Sequence, residues 1–324
     1  MLQASRAPGL DRPIESLSPV SEPPAGAGDA VSRTVTRRVG GFVALTKPRI
    51  IELLLVATLP TMVVAARGLP SLRLALATLG GGALAAGGAN AFNMVVDRDI
   101  DAVMRRTSKR PLVTGLVSPS EAVVFAFALE IAAFAELWWA VNLLSALLAV
   151  SATLFYVFVY TIWLKRTSTQ NIVIGGAAGA VPVLVGWTAV TGRLALAPLV
   201  LFSLIFLWTP PHFWALAVRY SDDYRAAEVP MLPAVKPIVS TARQIVVYTA
   251  ALWATSLIFA PVGHMGWVYI GSAVALGAVF MGFALVLLRD RTTAAAMRTF
   301  HYSITYLTLL FVAMAVDVLS RHHW

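Results

Sequence analysis

Apolar residues run along this chain in blocks of about twenty, separated by short polar or charged intervals. The blocks fall at 47–66, 74–96, 120–137, 142–163, 171–190, 195–217, 244–262, 266–288 and 300–319. Roughly twenty residues at about 1.5 Å rise each is the length a helix needs to cross the hydrocarbon core of a bilayer. The pattern predicts an all-α polytopic membrane protein with about nine transmembrane helices. Composition agrees, since 58% of residues are hydrophobic, 13% are charged and the mean hydropathy is +0.77. A soluble domain carries roughly a quarter charged residues. The chain has no cysteine, which excludes disulfides, thiolate chemistry and cysteine metal sites.

The charge falls mainly between the blocks. A formal net charge of +9 would suggest nucleic acid in a soluble protein, but here the positive-inside rule accounts for it. With the N-terminus inside, alternate intervals hold 21 Lys and Arg on one face and only Arg67, Arg73, Arg193 and Arg321 on the other. Nine spans with a cytoplasmic N-terminus and an outer C-terminus satisfy this asymmetry, and eight would not. The expected location is a bacterial cell membrane. Residues 1–40 are rich in Pro, Gly and Ser and read as a disordered cytoplasmic tail ahead of a transmembrane domain at 41–324. Asp11, Glu15, Glu22 and Asp29 argue against a mitochondrial transit peptide.

Two small-residue stretches, GGGALAAGGANAF at 80–92 and GGAAGAVP at 175–182, predict close helix–helix contact. Thin helix faces would also leave room for a bulky ligand. The longest internal loops, 97–120 and 218–243, follow spans 2 and 6. Their positions suggest a duplicated four-helix unit with one added helix.

Residues 93–112 read NMVVDRDIDAVMRRTSKRPL and concentrate three aspartates and five basic residues. Asn93, Asp97 and Asp101 are spaced i, i+4, i+8, which places them on one face of a helix end at about 100° per residue. Asp99 should point elsewhere. Two carboxylates and an amide oxygen suit a hard cation such as Mg²⁺, which commonly adds waters and substrate phosphates. Arg106 and Arg110 repeat the i, i+4 spacing with Lys109 alongside, and guanidinium forks match phosphate oxygens. The stretch therefore offers what a diphosphate ester needs. The plainer alternative is a solvated loop whose charges pair with one another and with lipid headgroups.

The second loop, RYSDDYRAAEVPMLP at 219–233, offers Asp222 and Asp223 to complete a metal site, flanked by Tyr220 and Tyr224. Just before it, WTPPHFWALA at 208–217 carries Pro210 and Pro211, which remove backbone donors and predict a broken helix at membrane depth. His212 would then sit among Trp208, Phe213 and Trp214, as a packing residue or as a ligand. Glu52 is an ionisable group inside span 1 and a functional candidate by default. Lys47 and Arg49, at the mouth of the same span, reach either a diphosphate or lipid headgroups. Glu130 and Glu136 have no evident partner in sequence.

At these residues the chain resembles the UbiA superfamily of intramembrane prenyltransferases and, within it, the members that farnesylate heme. The resemblance rests on LTKPRI at 45–50, NxxxDRDIDxxMxRTxxRPL at 93–112, WTPPHFWAL at 208–216 and DDYxxAxxPMLP at 222–233, in that order. It implies a UbiA-type bundle around a central cavity, capped by the acidic loops. It implies that Asn93, Asp97 and Asp101 bind Mg²⁺ and diphosphate, with Asn90, Arg106 and Arg110 also matching the family and Asp223 as a further metal residue. The second family motif is usually DxxxD, and Arg219 stands where its first acid would be, although the heme-modifying members share the DDY form. The implied reaction joins farnesyl diphosphate to heme B, with heme as substrate, giving heme O and diphosphate; association with a heme A synthase is left open. His212 either ligates the heme iron or positions water, and Trp208, Phe213, Trp214 and Tyr220 would line the heme or prenyl site. Two rivals remain: another UbiA-type enzyme acting on an aromatic or quinone precursor, and an ion-coupled transporter, which would place its acids nearer the bilayer midplane.

Overall fold

The structure is a computed structural model that describes residues 27–321, apart from the side chains of 27–35 and 49–55. Arg49 and Glu52, both candidates from sequence, have side chains outside the described residues. The described residues are helical throughout, with no strand among them.

Helix α1 (Ala27–Thr46) takes in residues 27–40, which the sequence reading places in the N-terminal tail. The chain divides into a unit of residues 1–37 and a unit of residues 38–324, and the second holds everything described below. Helix α2 (Pro48–Ala66) begins with proline at its first position, where the missing N–H costs nothing. Helix α3 (Leu72–Val96) is capped by the Ser71 hydroxyl, which accepts from the Leu74 N–H. The short α4 (Arg98–Val103) follows at once. Helix α5 (Pro119–Ala140) opens with a Ser118–Glu121 capping box. The next span combines α6 (Leu143–Leu154), a π-helix (Phe155–Leu164) and α7 (Lys165–Thr167). Then come α8 (Asn171–Thr191), α9 (Leu196–Arg219), the short α10 (Ser221–Ala226) and α11 (Leu232–Val235), and three long helices, α12 (Ile238–Val262), α13 (Trp267–Asp290) and α14 (Thr293–Arg321).

Among the described residues, eight helices are long and apolar enough to cross a membrane. Helix α2, at 19 residues, occupies the position of the first expected span, 47–66, and the eight others match the remaining expected spans. The packing divides the spans as their spacing suggests. Spans α3, α5, α6–α7 and α8 pack in sequence, and α8 returns to α3. Helices α9, α12, α13 and α14 do the same, with α14 returning to α9. The two groups meet at α8 and α9, and α2 is the added helix, packed on α3, α8 and α14.

The glycines make this packing possible and correct one expectation. Gly80, Gly81 and Gly88 on α3 each seat a side chain from α5, namely Glu136, Leu137 and Glu130. A methyl at Gly88 would lie 2.6 Å from the Glu130 carboxylate, which also accepts from the Thr153 hydroxyl at 3.0 Å. The room these glycines provide is thus filled by the neighbouring helix and not left for a ligand.

Proline has a smaller effect than expected. Helix α9 runs unbroken through Pro210 and Pro211, both buried. The sequence predicts a break because two i−4 carbonyls lose their donors. The helix persists because α8, α12 and α14 all pack against it and constrain its backbone.

At the end away from the two acidic loops the turns are tied together. Asp317 accepts from the N–H groups of Gly266 at 2.6 Å and Tyr269 at 3.3 Å, and pairs with Arg321 at 2.7 Å. Arg321 also donates to the His264 carbonyl, and Arg67 donates to the Gly263 carbonyl at 3.0 Å.

Candidate active site

Helix α3 ends at Val96 and α4 begins at Arg98, yet the turn between them preserves helical register. Asp97 donates its N–H to the Asn93 carbonyl at 2.9 Å, and Asp101 donates to the Asp97 carbonyl at 2.8 Å. Asn93, Asp97 and Asp101 therefore stay on one face, and all three are buried. Asp99 turns outward: its side chain is 65% exposed against 1% for Asp97. There it takes two hydrogen bonds from Arg166, and these hold its carboxyl near 2, well below the ordinary carboxylate range.

Three cations converge on the buried face. Lys47, at the junction of α1 and α2, donates to Asn93 Oδ1 at 2.7 Å. Arg110 donates to Asp101 Oδ2 at 2.5 Å, and Lys165 pairs with Asp97 Oδ2. Asn93 Nδ2 donates to the same Asp97 oxygen at 2.7 Å and to Thr161 Oγ1 at 3.2 Å. Asn90 ties α3 to the end of α1 by donating to the Thr46 carbonyl.

Lys165 and Thr161 were not singled out from sequence. Thr161, on the π-helical stretch, meets Asn93, and Lys165, the residue that follows that stretch, meets Asp97; the wider π turn is a departure often found at functional sites. Lys165 and Arg166 entered the sequence reading only as topology charges, and nothing local marks them as partners of residues nearly seventy positions away. Tyr156 and Tyr160, on the same stretch, stack with ring centres 5.3 Å apart.

Asp97 Oδ1 is buried and has no hydrogen-bond partner among the described residues. A buried carboxylate oxygen without a donor is costly, and a hard cation is the group that suits it. Among the described residues no set of three His, Asp or Glu side chains converges for a metal. Two carboxylates completed by water and phosphate oxygens is the arrangement Mg²⁺ commonly accepts.

The expected pairing of Arg106 with Arg110 does not occur. Helix α4 stops at Val103 and Met104 is extended, so the i, i+4 spacing no longer means a shared face. Arg110 joins the acids, while Arg106 lies over the Tyr220 ring at 5.6 Å. Lys109 is exposed in the turn. Across the gap, Arg105 donates to Asp223 Oδ1 at 3.0 Å and links the two loops. Asp223 is buried, but Asp222 is exposed and pairs with Arg225 at 2.7 Å. Neighbouring residues on a helical turn diverge by about 100°, so both acids cannot face inward. Tyr224 is buried beneath the loop, and this burial raises its hydroxyl above the ordinary tyrosine value.

His212 stacks on Trp208 with 4.2 Å between ring centres and faces Phe300 at 4.8 Å. Ser303 Oγ donates to the Phe300 carbonyl at 2.6 Å, so His212 Nδ1 carries its proton and donates to Ser303 Oγ at 2.7 Å. Nε2 is left with its lone pair. Phe213 meets the imidazole edge-on, but Trp214 is fully buried against Tyr248 and belongs to the core. Phe300 and Ser303 come from α14, some ninety residues away in the chain, and were not foreseen.

A buried acid and amide face ringed by cations has the charge and donor set to hold a hard cation and a phosphate-bearing anion. The chain belongs to the UbiA prenyltransferase family, whose profile matches residues 54–313. Among its relatives, the protoheme IX farnesyltransferase of Paenarthrobacter aurescens is 54% identical over 288 residues, covering 87% of this chain and 90% of its own. That of Streptomyces coelicolor is 49% identical over 316 residues, covering 94% of this chain and 100% of its own. Solved structures share the fold. A digeranylgeranylglyceryl phosphate synthase matches with a TM-score of 0.73 at 15% identity, over 87% of this chain and 99% of that one. A UbiA homologue from Archaeoglobus fulgidus bound to DMAPP and Mg²⁺ matches with a TM-score of 0.60 at 18% identity, over 86% and 99%.

Proposed function

We propose that this protein transfers the farnesyl group of farnesyl diphosphate to a vinyl group of heme B, releasing diphosphate and giving heme O. The observation that carries the diphosphate half is the buried Asn93–Asp97–Asp101 face with its unpartnered Asp97 oxygen, met by Lys47, Arg110 and Lys165. Half-identical relatives named for protoheme IX farnesylation support the acceptor.

Lys165 and Arg110 pair with the two carboxylates, and Lys47 holds the Asn93 amide oxygen between them. Asp97 and Asp101, with Asn93, would hold Mg²⁺. When bound, Mg²⁺ offsets the charge of the departing diphosphate. Lys165 and Arg110 then turn from the acids, and Lys47 from Asn93, to the phosphate oxygens, and they stabilise the leaving group as the farnesyl C1–O bond breaks and its electron pair departs. The faces of Tyr156 and Tyr160 stabilise the allylic cation at C1. The heme vinyl carbon supplies the electron pair for the new C–C bond, and water adds to the resulting cation and loses a proton. His212 presents Nε2 toward the acceptor, to the heme iron or to that water.

The protein works as a multi-pass protein of a bacterial cell membrane, with the acid cluster at the cytoplasmic face. The test is direct. Purified protein incubated with heme B, farnesyl diphosphate and Mg²⁺ is expected to yield heme O by mass. No product from protein of intact helical content would overturn the reading.

A further inference from the structure

Arg106 and Arg219 come from different loops, yet both guanidinium groups lie over one ring, that of Tyr220, at 5.6 and 5.9 Å from its centre. Neither belongs to an ion pair among the described residues, although the acids around them are all taken: Asp101 by Arg110, Asp223 by Arg105 and Asp222 by Arg225. Both side chains are exposed at the rim of the bundle. Arg106 also hydrogen-bonds the Tyr224 hydroxyl, and the two guanidinium groups gathered at one aromatic ring offer forks that match carboxylate geometry.

Their position favours one anion over another. The diphosphate cations are already assembled at Asp97 and Asp101, and Arg106 has left that group. Arg219, by contrast, ends the helix that carries His212. Seven residues separate them, which is two turns, a drift of about 20° and a rise of about 10 Å. A flat macrocycle that meets the Nε2 edge of His212 and lies along α9 toward the loop brings its far edge to Arg219. In heme B that edge bears two propionate carboxylates.

We infer that Arg219, with Arg106 beside it at Tyr220, seats the propionates of the porphyrin and selects a dicarboxylate acceptor over a neutral one. The inference rests on the heme-farnesylation reading. It also gives a reason for Arg219 where the general family motif has an acid, since a carboxylate at that position would repel the propionates.

The test compares heme B with its dimethyl ester, in which both propionates are neutral, using the full-length wild type, R219A and R219K. In R219A the KM for heme B is expected to rise about tenfold, with the KM for the ester and for farnesyl diphosphate changed less than about twofold. R219K, which keeps the charge but loses the fork, is expected to fall between. An unchanged farnesyl diphosphate KM also reports an intact fold. Equal rises for heme B and its ester, or a rise confined to farnesyl diphosphate, would overturn the assignment. A wild type that farnesylates neither form would defeat the underlying function instead.

Discussion

The two loops that cap the bundle begin alike and end in opposite chemistry. Each follows the first helix of a four-helix group, and each opens with a six-residue helix, α4 or α10. Asp97 ends α3 and precedes α4, just as Tyr220 ends α9 and precedes α10. Counting four residues either way from these junctions gives Asn93 and Asp101 in the first loop, and Leu216 and Tyr224 in the second. The same backbone device thus presents a carboxylate face in one half and an apolar, aromatic face with arginines in the other. A symmetrical pair of loops would treat its two substrates alike. Under the proposed function this pair divides the work, with Mg²⁺ and diphosphate assigned to one side and the flat acceptor to the other.

That division can be broken by mutation, most severely on the acid side. D97A or D101A is expected to lower kcat by about a thousandfold, as loss of leaving-group stabilisation would, measured as heme O formed at saturating substrates and Mg²⁺. K165A removes one cation but leaves the acids, and about a hundredfold loss in kcat is expected. If K165A were silent, Lys165 would have no part in stabilising the leaving group. On the second side, D223A unlinks Arg105 and should cost about tenfold, while D222A, whose exposed pair is worth at most about 1 kcal/mol, should stay within twofold. Losses at Asp223 equal to those at Asp97 would restore the symmetry argued against here. Smallest of all is D99A: turnover within about twofold, with a change in stability below about 1 kcal/mol, read as Tm.

The acid face was legible in the sequence because its geometry is local. Asn93, Asp97 and Asp101 need only helical register, and the hydrogen bonds across the α3–α4 junction keep it. The spans were legible for the same reason, since length and hydropathy are properties of one segment. What sequence could not supply was contact between distant segments. Lys165 meets Asp97 across 68 positions and Ser303 meets His212 across 91, and neither pair has a spacing rule. Arg106 was misread because spacing was trusted past the end of a helix. Pro210 and Pro211 were over-weighted because the restraint from three packed neighbours is invisible along one strand of text. The glycines of α3 were correctly tied to packing, but their occupants are side chains of α5.

The tie between Asp317, Gly266 and Arg321 has a consequence for how the two ends respond to salt. Asp317 is buried and doubly amide-bonded, so that end of the molecule is fastened by contacts that salt screens little. The loop end is joined by Arg105 and Asp223, whose arginine lies 85% in solvent, and such a bond weakens as ionic strength rises. Rising ionic strength is therefore expected to loosen the Arg105–Asp223 link between the two loops before it touches the Asp317 tie or the buried Lys165–Asp97 and Arg110–Asp101 pairs.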